Sequence, residues 1–242
     1  MPVDLSLQKE VLAVIAILSV CILFPLYYYF TKQQLILNLI EKVKPDFIPA
    51  ESLKFISEKI TGIILFGIIP FVLFILIIKI LPRNIGFTTG HLSRIKYLFF
   101  LLISLTFILS YFSSKSHKIQ QISPELRVKP WRFRHNILSA LSWLIYLFGY
   151  EFFFRGILWF LCFQAYGFWL ASGINVLLYS LVHIPKGKGI SLGAIPLGIL
   201  FCFLSCYTGS FFPAFIIHST MAISTEIFSA YQNPEFRLHQ GN

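Results

Sequence analysis

The chain has 242 residues, of which 57% are hydrophobic and 12% charged, and its formal net charge is +10. A soluble chain of this length needs far more polar surface, so composition excludes a water-soluble domain and implies a polytopic membrane protein. The basic excess does not point to nucleic acid. Its Lys and Arg sit mainly in short loops between apolar runs, where they fix orientation and meet anionic lipid head groups.

In chain order, span 1 is predicted over 11–30, with a kink at Pro25 and tyrosines at the interface. It lacks a small-residue cleavage site and reads as a retained helix, not a signal peptide. Pro49-Ala50-Glu51-Ser52 looks like a helix start, so a short interfacial helix is expected to run into span 2 over 60–78, which contains Pro70. A basic loop (79–96) leads to span 3 over 97–112. The polar segment 113–135 ends in the basic-aromatic Lys129-Pro130-Trp131-Arg132-Phe133-Arg134-His135, which suits a membrane surface. Spans 4 to 7 are predicted over 136–163, 166–183, 190–207 and 211–231, broken by Lys186-Gly187-Lys188-Gly189 and Thr208-Gly209-Ser210.

The expected architecture is all-α: a polytopic bundle of about seven transmembrane helices with a catalytic-type core in the last four. Residues 1–135 hold the N-terminal helices and basic loops, 136–230 the core, and 231–242 a polar tail. With seven spans, the side carrying 31–59, 113–135, Lys186, Lys188 and Arg237 is the more basic and is expected in the cytoplasm. The four cysteines, Cys21, Cys162, Cys202 and Cys206, fall in apolar runs and are expected to be free, buried thiols.

Glu151 and Arg155 stand four residues apart in a long apolar run, hence on one face of a spanning helix. Ionisable groups at membrane depth are costly and mark functional sites by default, although a mutually neutralised structural pair is the plain alternative. Span 5 adds Asn175, Tyr179 and His183, spaced by four along one stripe. Span 7 adds His218, Thr225 and Glu226. Glu, Tyr, Arg and two His supply a base, an orienting group and donors for a developing oxyanion. Spans 1 to 3 offer almost nothing comparable.

Glu151-Phe-Phe-Phe-Arg155-Gly156, Tyr179-Ser-Leu-Val-His183 and His218-Ser-Thr-Met-Ala222 resemble, in order and spacing, the three motifs of the CPBP family. This is the family of CAAX prenyl endopeptidases and bacteriocin-processing proteins, also called Abi intramembrane proteases. Its pattern is Glu-Glu-x-x-x-Arg, then an aromatic followed four residues later by His, then His followed four residues later by Asn. The resemblance covers roughly 136–230 and implies intramembrane hydrolysis of a peptide bond in a membrane-associated peptide or protein.

In the family, the first glutamate and the second-motif histidine activate water, while the third-motif histidine and its asparagine polarise the scissile carbonyl. The resemblance therefore implies catalytic roles for Glu151, His183 and His218, with Arg155 bracing the site. Tyr150, Tyr179 and Asn175 are candidates for substrate binding. Two positions depart from the pattern: Tyr150 stands where the first glutamate is expected, and Ala222 where the asparagine is. Tyr is a poor base at neutral pH. Either Glu151 has taken over as base, or the chain binds without hydrolysing.

No cofactor is expected. Zinc on Glu151, His183 and His218 is the alternative, against which no ligand pair lies close in sequence, as in His-Glu-x-x-His. A transporter or proton relay is a third reading, weakened by the absence of repeat symmetry. The expected setting is the bilayer of a bacterial inner membrane. Depth poses one problem: Glu151 lies roughly 20 Å along span 4, by a rise of about 1.5 Å per residue, whereas His183 ends span 5. The two meet only if a water-filled cleft enters from the cytoplasm and span 4 begins earlier, around Trp131.

Overall fold

The computed structural model describes residues 5–33, 42 and 49–236, so Arg237 and most of the loop after span 1 lie outside the described residues. α1 is Leu5–Lys32 and runs on through Pro25. α2 starts at Ala50, directly behind Pro49, and continues to Ile77, so the interfacial helix and span 2 form one rod. π-helical stretches at Ile64–Ile68 and Val72–Ile77 flank Pro70. Such wide turns accommodate a proline, which cannot donate a backbone hydrogen bond.

α3 (Lys96–Ser113) and the short α4 (His117–Ile122) follow. α5 (Phe133–Glu151) then passes through a π-helix (Phe152–Leu158) into α6 (Trp159–Leu181). α7 (Lys188–Thr208) and α8 (Phe212–Gln232) complete the bundle. No strand occurs among the described residues.

Among the described residues, five helices are long and apolar enough to cross a membrane: Gln8–Lys32, Ala50–Ile77, Leu92–Ser113, Phe133–Lys186 and Lys188–Thr208. The fourth, 54 residues long, contains a break at Gly167 (φ 75°, ψ 179°). There the chain doubles back, since Asn175 Nδ2 donates to the Phe154 carbonyl at 2.7 Å across 21 residues. Glycine suits the break because only it enters this part of backbone space freely. α8 is not among the five. Its Ser, Thr, His and Glu side chains dilute its apolar character, and the expected total of seven spans is not established.

α5 packs between α2 and α8, α6 lies against α1 and α7, and α3 covers α8. The tightest approach joins α5 to α2: a Cβ on Gly149 would lie 3.0 Å from the Gly67 nitrogen and 3.1 Å from its Cα. Backbone cannot swing aside as a side chain can. Gly149→Ala is therefore expected to lower stability by about 1–3 kcal/mol, read as a fall in thermal midpoint in detergent.

All four cysteines are free. Cys162 and Cys202 are buried, but Cys21 is exposed and Cys206 only partly covered, so the expectation of four buried thiols holds for two. Cys21 lies on a face of α1 that no other helix covers.

One end of the bundle is tied by charge. Lys59 is buried against the Trp143 ring (3.4 Å to the centroid) and bonds Glu125 at 2.5 Å, while Lys186 reaches the other Glu125 oxygen at 3.0 Å. Glu226 is also buried, and its two oxygens accept the backbone N–H groups of Glu125 and Leu126 at 2.8 and 2.9 Å. It clamps the 123–126 loop.

Burial alone pushes the Glu125 carboxyl up, but Lys186 and Lys59 outweigh it and hold the group well below its ordinary 4.5. A carboxyl depressed on folding adds stability that is complete above its unfolded value and is lost as pH falls through the folded one. The thermal midpoint is accordingly expected to decline as pH drops below 4.5, and to decline less in Glu125→Gln.

Candidate active site

The site is built where the α5–α6 hairpin meets α8. The π-helix begins immediately after Glu151 and holds Arg155 at its centre. π-helical turns in otherwise α-helical rods are rare and frequent at functional sites. The local widening is braced from outside, with Asn175 holding the Phe154 carbonyl and accepting from Cys202 Sγ at 3.5 Å. Asn175 thus has both ends of its amide engaged inside the protein.

Glu151 and Arg155 are both 0% exposed. Arg155 Nη1 lies 3.3 Å from Glu151 Oε2, and the guanidinium stacks on Tyr179 (4.0 Å to the ring centroid) and Phe201 (5.1 Å). A planar, weakly hydrated cation over aromatic faces is a favourable way to bury charge. The other Glu151 oxygen accepts from His218 Nδ1 at 2.5 Å. The glutamate therefore fixes the tautomer and orientation of His218 and leaves its Nε2 as the free ring nitrogen.

His183 ends the second arm of the hairpin. Its Nδ1–H donates to the Tyr179 carbonyl at 2.6 Å, since a carbonyl only accepts. That bond leaves the His183 Nε2 lone pair available. The Tyr179 ring lies 4.5 Å from the His183 ring and 6.3 Å from that of His218. Tyr150 stands edge-on to both imidazoles, at 6.3 Å from His183 and 5.8 Å from His218.

The depth problem is resolved by the hairpin. α5 begins at Phe133, three residues before the expected start, and Glu151 and His183 lie sixteen residues before and after the break at Gly167. Arms of equal length bring them to one level, about 24 Å from the turn at helical rise.

Residues 132–224 match the family model of the type II CAAX prenyl endopeptidase Rce1-like proteins. They form an Rce1-like domain. No curated protein and no solved structure matches the chain. The Rce1-like domain takes in α5 through most of α8, and so includes all seven residues proposed for the site.

The structure brings Tyr150, Glu151, Arg155, Tyr179, His183 and His218 into one cluster. Ala222 packs against the core and offers no donor. Phe201 of α7, which touches both Arg155 and His218, was not foreseen, because an aromatic in an apolar run carries no distinguishing signal. Among the described residues, no three His, Cys, Asp or Glu side chains are grouped so as to hold a metal ion. Glu151 already directs its oxygens to His218 and Arg155.

Proposed function

We propose that the Rce1-like domain is an intramembrane endopeptidase that hydrolyses a peptide bond of a membrane-associated peptide or protein. In this reading His183 Nε2 takes the proton of the attacking water. His218 is held in place by Glu151 on the carbonyl side. Glu151 acts through His218, and Arg155 balances its charge, so water activation falls to His183. No metal or cofactor takes part, and the setting is the inner membrane of a bacterial cell. The observation that carries the reading is the convergence of three separated segments, with Glu151 on His218 at 2.5 Å and His183 beside Tyr150 and Tyr179.

The test is a survey of protein N-termini in membranes containing wild-type protein or His183→Ala at matched amounts. Termini that appear with wild type and vanish in the variant support proteolysis. Identical surveys overturn it.

A second reading is favoured by one observation. Glu151, the carboxylate next to Tyr150, is engaged with His218 and Arg155, while His183 bonds the Tyr179 carbonyl. On that reading the domain binds a membrane peptide without cutting it, and identical surveys with a persisting deletion phenotype are its expected outcome.

A further inference from the structure

Tyr150 is 3% exposed and packed among rings. It stacks on Phe154 at 4.8 Å and stands edge-on to Phe24 and Phe66, both at 6.0 Å, on the wall supplied by α1 and α2. Its other neighbours are Tyr179 at 6.1 Å and the two site imidazoles. Its hydroxyl is buried and makes no hydrogen bond among the described residues. A buried hydroxyl without a partner is destabilising, a cost that a phenyl ring of the same shape avoids. Packing therefore accounts for the ring and not for the oxygen. The oxygen belongs to a residue that meets both histidines, and Ala222, one turn beyond His218, contributes no donor of its own.

We propose that Tyr150 is a catalytic donor, its Oη–H hydrogen-bonding the carbonyl oxygen of the scissile amide as that oxygen becomes negative. The proposal rests on the proteolytic reading above. Water oxygen bonds to the carbonyl carbon, and its proton passes to His183 Nε2. The C=O electron pair moves onto the oxygen, where the Tyr150 hydroxyl holds it. On collapse the carbonyl re-forms, the C–N bond breaks, and the leaving nitrogen takes the proton from His183. Tyr150 keeps its own proton throughout. Donors aimed at developing charge in a water-poor site act more strongly than in water and need no reorganisation during the step.

The test uses the full-length protein in detergent, with membranes lacking it as the source of substrates, and follows the rate at which His183-dependent N-termini appear. Tyr150→Phe is expected to slow that rate by about 10²–10³-fold, the range for loss of one such donor. Its thermal midpoint is expected to equal or exceed that of wild type, because the hydroxyl has no partner among the described residues. Ala222→Asn placed in the Tyr150→Phe background is expected to recover part of the rate by supplying a donor from α8.

An undiminished rate in Tyr150→Phe overturns the role of the hydroxyl while leaving proteolysis standing. A lowered midpoint in that variant assigns the hydroxyl to structure and also overturns it. If wild type releases no His183-dependent terminus, the proteolytic reading fails, and the proposal fails with it.

Discussion

Arg155→Ala is expected to cost roughly 3–5 kcal/mol of stability, enough to leave much of the protein unfolded in detergent. The residue itself is not the main loss. Removing the guanidinium strands the Glu151 carboxylate, 0% exposed, with only His218 beside it. Tyr179 and Phe201 lose the cation they enclose and gain a void. The double variant Glu151→Gln/Arg155→Met removes both charges at similar volume and is expected to recover most of the loss, since buried pairs replaced together are often neutral in cost. Arg155→Lys is expected to fall between, because an ammonium lacks the planar surface that stacks on Tyr179. Denaturant midpoints for the four proteins decide the matter. Equal midpoints for Arg155→Ala and the double variant would show that the pair contributes no mutual compensation.

His183→Ala is expected to abolish measurable cleavage, with a rate loss of about 10²–10⁴, the usual contribution of a positioned acid–base group. Its effect on stability is expected to be small. His183 is only half-buried, and its ring bonds the carbonyl of Tyr179 at the end of α6, where water substitutes readily. The contrast with Arg155 is the informative part. One residue governs whether the cluster exists and the other what it does, so the two variants should separate folding from chemistry in a single preparation. A His183→Ala protein that unfolds as readily as Arg155→Ala would instead place the histidine in the framework.

Much of this was legible in the sequence because it rests on local spacing. Glu151 and Arg155 stood out as charges four apart in an apolar run, and the Asn175, Tyr179, His183 stripe follows from helical period alone. Helix ends fell within a few residues of those expected wherever Pro or Gly punctuates the chain, as at Ala50 and Lys188. The π-helix after Glu151 was not legible, since a period read over many residues does not register one widened turn. Nor were the long-range pairings. Lys59 was read as part of a charged loop and turned out to be buried over Trp143, bonded to Glu125 66 residues away. Glu226 was read as one of the polar residues of span 7 and turned out to hold a loop 100 residues distant. Pairings of that kind depend on how segments stack in three dimensions, which a linear pattern does not encode. Asn175 shows the same limit at shorter range: its position on the stripe was legible, and its bond to the Phe154 carbonyl was not.

The break at Gly167 acts as a crease, with the acid and the histidine an equal distance down either leaf. Any change in the length of one leaf alone slides Glu151 past His183, whereas matched additions of one helical turn to both carry the pair together and keep them facing. Lengthening of this kind would let the same chemistry be lowered or raised within bilayers of different thickness, provided the crease itself stays a glycine. The part of the hairpin farthest from the reacting groups thus sets the depth at which they act.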